Sequence, residues 1–269
     1  MKKDYVLVTG PSQGDDLDFV DKFWTERWQK NVDLPDPEFV ARREEFILMQ
    51  PHLNKAGKGA AILDAGCGMG EWTVYLNHLG FPTTGLDISE ETIRRLQTIL
   101  PQYKFMRGDI RKTGFPDESF DFLFSWGAFE HFENGPAECL KESFRLLKPG
   151  GGLFISVPFD NWRHMLKRMR SLDHWDPYYH PDKDYPGPMR FYQWRFTKSE
   201  IQQEVVMAGF KTMWIKSISK EAGIRRWLEW DVKIAPTSGA YNLLVKFGRR
   251  FLPSDFLAHM IMIAAYKRS

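Results

Sequence analysis

Residues 62–72 read ILDAGCGMGEW. An apolar run ends in an acid, Asp64, and passes at once into a turn with glycines at 66, 68 and 70. A dinucleotide-binding fold sets a diphosphate at the helix start that follows its first strand, using three glycines spaced G-x-G-x-x-G. Here the third of those positions is Glu71. Asp64 also brings negative charge beside the spot a diphosphate would occupy, which opposes phosphate even though a helix N-terminus favours it. A ligand without phosphate, carrying a cationic amine or a sulfonium, suits this turn better.

Outward from that turn, residues 60–157 alternate short apolar runs with helical segments. AAILDAG, TTGLDIS, YKFMRGD, FDFLFSW and GLFISVP read as five strands in order. GEWTVYLNHLG has helical spacing and stops at Gly80, while Ser89 can cap EETIRRLQTIL, whose first-turn glutamates suit the helix dipole. PAECLKESFRLLKPGG reads as a helix halted by Pro149. Strands and helices alternating at this pitch imply parallel strands joined by right-handed crossovers in a doubly wound α/β sheet. Further on, TKSEIQQEVVMAGF predicts a capped helix, and KTMWIKSIS and HMIMIAAYK predict two more strands.

Two more acids sharpen the ligand. Asp87 closes the second strand, where a carboxylate can bond both hydroxyls of a ribose. Asp109 follows the third strand, where a carboxylate can accept from the exocyclic amine of a purine. Open sheets bind ligands outside the carboxyl ends of their strands, so three such acids face one crevice. Their order matches an amino-acid end, a ribose and an adenine, the parts of S-adenosylmethionine.

ILDAGCGMGEW, GLDIS, FMRGDI, FPDESFDFLFSWGAFEHF and LKPGGGLFISVP together resemble the successive motifs of class I S-adenosylmethionine-dependent methyltransferases. The resemblance is close over residues 60–157 and looser beyond. It implies a Rossmann-like doubly wound seven-stranded sheet, with HMIMIAAYK as an antiparallel seventh strand between the fifth and sixth. It implies that Asp64, Gly66, Gly68 and Gly70 hold the methionyl end, Asp87 with Ile88 the ribose, and Asp109 with Ile110 the adenine. Trp126 would lie near the transfer point, and S-adenosylhomocysteine would be the product. His131, in the loop after the fourth strand, is the candidate general base, although the EH pair resembles a feature shared by family members with unlike substrates, which points instead to a structural or cofactor-side role.

The remaining sequence suggests an acceptor side. Residues 1–58 predict an N-terminal helical cap around FVDKFWTERW, ahead of a cofactor-binding core at 59–157. Residues 158–196 form an aromatic insertion read as a lid, and 197–269 complete the sheet, with a helical insertion at 218–257. Aromatics are 15% of the chain and gather outside the glycine turn. Trp24, Tyr178, Tyr179 and Tyr192, with His131, are therefore the candidates for touching a small-molecule, sugar-linked or lipid-like acceptor, with oxygen the expected accepting atom. No spacing in HWDPYYHPDKDY matches a zinc or calcium site, so no metal is expected. A net charge of +2 gives no basic footprint, which argues against nucleic acid. Two distant cysteines and no long apolar run point to a cytoplasmic protein. NWRHMLKRMR is amphipathic and basic. It reads first as a helix packed on the sheet with a solvated basic face, and second as a peripheral membrane contact. A methyltransferase-like fold that only binds is the rival from another class, and the absence of binding heat with S-adenosylmethionine would mark one that has lost its cofactor.

Overall fold

The computed structural model describes residues 1–7, 16–29, 36–169 and 189–268. Strand β2 (Ile62–Ala65) is buried along its whole length. It lies parallel to β3 (Thr83–Asp87) on one side and β5 (Phe120–Trp126) on the other. Strand β4 (Lys104–Arg107) extends the sheet beyond β3, and β6 (Leu147–Pro158) runs parallel to β5. Strand β9 (Met260–Lys267) inserts antiparallel between β6 and β8 (Phe210–Ile218). The order β4-β3-β2-β5-β6-β9-β8 is the one the motifs imply. It reverses direction between β2 and β5, which opens a crevice at their carboxyl ends.

Alternation along each strand divides the core. Leu63, Ala65, Leu123, Leu153, Ile155, Ile261 and Ile263 pack against α6 (Ala137–Leu146) and α8 (Lys198–Met207). Their neighbours Ile62, Phe122, Phe124, Phe154, Met262 and Ala264 meet α3 (Glu44–Ala56) and α4 (Glu71–His78) on the opposite face. Helix α3 buries Phe46, Met49 and Leu53 there, each worth about 1.5–3 kcal/mol. The same alternation puts Asp64 on the α4 side, where the Thr73 hydroxyl donates to it at 2.8 Å. Ser89 caps α5 (Glu90–Ile99) by accepting from the Thr92 amide, and Thr197 with Glu200 forms a full capping box on α8.

Three expectations need correction. The helix before β6 stops at Leu146, not at the proline, because Leu147 already pairs with Phe120 of β5. The N-terminal region is not wholly helical. Strand β1 (Lys2–Leu7) precedes α1 (Asp16–Gln29) and pairs antiparallel with β7 (Met189–Arg195), in the segment read as a lid. Buried Asp4 holds the two together, accepting from Arg195 Nε at 2.7 Å and Gln193 Nε2 at 2.9 Å. Last, α7 (Trp162–Met169) is oriented opposite to the packed-helix reading. Arg163 and Lys167 turn inward to Asp231, whereas Trp162, Met165 and Leu166 are exposed. An acid 64 residues beyond Lys167 decides that orientation.

Candidate functional site

The β2–α4 turn sets the shape of the site. Gly66, Gly68 and Gly70 have φ of 88°, 49° and 78°, the left-handed region that side-chain-bearing residues resist. Gly66 and Cys67 both donate their amides to the Leu86 carbonyl, at 2.8 and 2.9 Å, which ties the turn to β3. A Cβ on Gly66 would stand 2.7 Å from Ala128 Cβ, closer than carbons approach. Gly66→Ala is therefore expected to lower unfolding free energy by about 1–3 kcal/mol in a urea titration.

Asp87 fastens the other side of the turn. Its Oδ2 accepts from the Gly68 amide at 2.9 Å and its Oδ1 from the Ser89 amide at 3.0 Å. Burial pushes its carboxyl above the usual range, opposed by the bonds from Ser89, Gly68 and Ile88. Asp64 is buried more completely, and burial pushes its carboxyl up to about 8. The Thr73 bond works against that rise, while the nearby charges of Asp87 and Glu71 add to it. Cys67 is buried beside them and its thiol is held well up, first by burial, so it packs as a small apolar residue.

These groups line a cavity of about 470 Å³ at the crevice between β2 and β5. That lies within the roughly 300–1,000 Å³ usual for small-molecule sites. Of the residues picked out by sequence, Asp64, Gly66, Gly68, Asp87, Ile88, Ile110, Trp126, His131 and Trp24 all line it. Gly70 shapes the turn from just behind, where an added Cβ would meet Phe105 at 2.7 Å.

Its far wall is aromatic. Trp24 and Trp28, one turn apart on α1, stack with centroids 5.5 Å apart. Trp28 lies against the face of Gly68. The Thr25 and Ser89 hydroxyls, 2.6 Å apart, tie α1 to the start of α5. Trp126 ends β5 stacked on Phe124 and touching Trp72, and its indole Nε1 is buried with no partner among the described residues. His131, on a short 3₁₀ turn (Phe129–His131), donates from Nδ1 to the Tyr192 carbonyl at 2.7 Å. A carbonyl can only accept, so the neutral ring carries its proton on Nδ1 and leaves Nε2 as the basic nitrogen.

Asp109 departs from its expected place. It lines a separate surface depression, and its carboxylate is gripped by Arg111 Nε and Nη2 at 2.8–3.1 Å. Its chain neighbours Gly108 and Ile110 line the cavity instead. Tyr192 does not line the cavity either; it stands behind His131, with ring centroids 5.0 Å apart. Tyr178 and Tyr179 lie outside the described residues. Sequence reading missed Arg43, Glu71 and Phe132 as lining groups. Glu71 stands where a dinucleotide turn has its third glycine, and a carboxylate at the first helical position beside such a turn is a readable signal. No pattern in ARREEF marks Arg43.

A family model described as a methyltransferase domain matches residues 63–155, the stretch that holds the turn, Asp87 and His131. Over that stretch the chain is similar to a methyltransferase domain. A 2-methyl-6-phytyl-1,4-hydroquinone methyltransferase from Synechocystis sp. is 33% identical over 154 residues, which covers 51% of this chain and 48% of the relative. A demethylmenaquinone methyltransferase from Staphylococcus aureus is 36% identical over 124 residues, covering 43% and 50%. The chain thus spans about half the length of these curated relatives. A solved methyltransferase from Methanosarcina mazei shares the fold with a TM-score of 0.57 at 22% identity, over 82% of this chain and 97% of that one.

Proposed function

We propose that this chain transfers the methyl group of S-adenosylmethionine to a small, lipid-like ring acceptor that bears a hydroxyl. One observation carries the reading: a single cavity joins the glycine turn and its carboxylates to an aromatic wall around His131. The glycine cradle that a Cβ would fill, the acids and the unpartnered Trp126 indole fit an amino-acid nucleoside rather than a diphosphate. When bound, the cofactor supplies an electrophilic methyl on a positive sulfur; the protein's part is orientation and exclusion of water.

Asp64 would meet the methionyl ammonium, and Arg43 is the guanidinium among the described lining residues that could receive its carboxylate. Asp87 and Ile88 would hold the ribose, and Gly108 and Ile110 the adenine. Trp24, Trp28 and Phe132 would enclose the acceptor ring, and His131 Nε2 would take the hydroxyl proton. The oxyanion so formed can attack through oxygen, the atom expected from sequence, or through the adjacent ring carbon. The hydroquinone and demethylmenaquinone methyltransferases to which the chain is similar support a quinone-like ring.

The test is transfer of a labelled methyl from the cofactor to an alkylated hydroquinone, with the product extracted and fragmented in a mass spectrometer. Binding heat without transfer to any ring acceptor would leave a binding module. An acceptor lacking a hydroxyl that reacts equally well would remove the proposed chemistry.

Asp64 gives this reading a pH signature. With its carboxyl held up to about 8, the free site keeps a proton at neutral pH, and a bound ammonium would drive that proton off. Cofactor affinity should therefore rise with pH, approaching about tenfold per unit from pH ~6 to ~8. It should level off where the cofactor's own α-amino group titrates, near about 7.7–8.0. Calorimetry in buffers of different ionisation enthalpy should show proton release, and Asp64→Asn should abolish both the release and the slope.

A further inference from the structure

The register Pro158↔Met260↔Ile218 brings the end of β6, the start of β9 and the end of β8 to one edge of the sheet. That edge is the carboxyl end of the parallel strands, where the cavity opens. The chain leaves it twice, into α7 and into the segment holding α9 (Lys220–Arg226), α10 (Tyr241–Phe251) and α11 (Ser254–Leu257).

Helix α10 has two unlike flanks. Tyr241, Val245 and Gly248 are buried, and at Gly248 the helix comes so close to Ile224 of α9 that an added Cβ would meet it at 3.2 Å. On another flank Leu243, Phe247 and Phe251 follow each other at four-residue spacing and are 70%, 55% and 64% exposed. A scattered exposed leucine is ordinary, but a full row on one helix is not. Beside the row stand Lys246, Arg249 and Arg250, with no acid in the eleven residues. This one helix therefore carries +3, with Arg249 paired to Glu221 of α9 and Lys246 and Arg250 left to face outward, against +2 for the whole chain. Asp231, which holds α7 through Arg163 and Lys167, lies between exposed Val232 and Trp230, and α7 itself exposes Trp162, Met165 and Leu166.

We propose that α10 seats this protein on an anionic lipid bilayer. An apolar row with cations alongside is the pattern of a helix lying in the interface, where rings enter the acyl boundary and cations meet lipid phosphates. A second copy of the chain fits less well, since an isologous contact would press two +3 helices together. A convex row of phenylalanine rings also needs no shaped partner when the partner is a fluid surface. The seat lies at the end of the sheet where the cavity opens, so it would bring a membrane-dissolved acceptor to the site without crossing water. The inference does not depend on methyl transfer, because vesicle binding is read with neither cofactor nor acceptor present.

The experiment is co-sedimentation of the full chain with phosphatidylcholine vesicles and with mixed phosphatidylcholine–phosphatidylglycerol vesicles, at low and high salt. Binding is expected to favour the anionic vesicles by roughly fivefold per engaged cation and to fall with salt. Phe247→Ser with Phe251→Ser should reduce it by about tenfold or more, with circular dichroism unchanged because both rings are exposed. Lys246→Glu with Arg250→Glu should erase the preference for anionic lipid. Equal binding to both vesicle types, or binding indifferent to the phenylalanine pair, would overturn the proposal. So would a lipid-free dimer in sedimentation velocity that the phenylalanine pair dissociates, which would assign the row to a second copy.

Discussion

Replacing Asp87 by alanine is expected to weaken S-adenosylmethionine binding by about 10²–10⁴-fold. The carboxylate ends β3 almost fully buried, with one oxygen on the Gly68 amide and the other on the Ser89 amide. Each oxygen retains a second lone-pair site, and the pair is spaced to accept from two neighbouring ribose hydroxyls. A hydrogen bond to a charged group is worth about 1.5–3 kcal/mol, so losing two accounts for about 3–6 kcal/mol. The fold should suffer less. Burial already holds this carboxyl above its usual range, and its removal relieves that cost while freeing two amides. Titration calorimetry beside a thermal melt separates the two effects. Asp87→Asn, which keeps one acceptor, should fall between. Unchanged affinity in the alanine variant would remove Asp87 from the ribose contact.

Why the core was legible and its surroundings were not follows from the range of the interactions involved. Strand β2, its glycine turn and α4 are specified by neighbouring residues: an apolar run, three positive-φ positions, then helical spacing. Alternation along β5, β6 and β9 likewise reads locally as two buried faces. The β1–β7 pairing does not, because Asp4 finds Arg195 and Gln193 about 190 residues away and nothing near Asp4 announces them. Helix α7 shows the same limit: its amphipathic pattern was plain, but Asp231 decides which side faces in. In the site, Asp64, Asp87, Trp126 and His131 sit where strands end, so order along the chain brought them together. Asp109 also follows a strand, yet Arg111, two residues on, takes its carboxylate. Arg43 reaches the cavity only through the docking of α3, which no motif encodes.

Glutamine at position 131 is expected to lower kcat by about 10²–10⁴, the usual contribution of a positioned general base, while cofactor affinity stays within about twofold. The ring is fixed on several sides: Nδ1 donates to the Tyr192 carbonyl, the Trp24 ring meets it edge-on at 4.9 Å, and the Tyr192 ring stands 5.0 Å away. Those contacts hold the tautomer whose Nε2 can accept a proton. Glu130 is a further neighbour, with Oε1 3.9 Å from Nε2 and a carboxyl that burial pushes up to about 8. Below that pH Glu130 is neutral and does not trap the imidazole as a cation. A base and a spacer can be told apart by the acceptor's own acidity. A more acidic phenol arrives already ionised and needs no base, so its rate should drop far less in His131→Gln than that of a weakly acidic one. Equal losses across such a series would make His131 a positioning residue, and no loss at all would move the proton's destination elsewhere in the cavity. Glu130→Gln separates the neighbour's part: it should leave the rate below pH ~8 nearly unchanged, because there it swaps one neutral side chain for another.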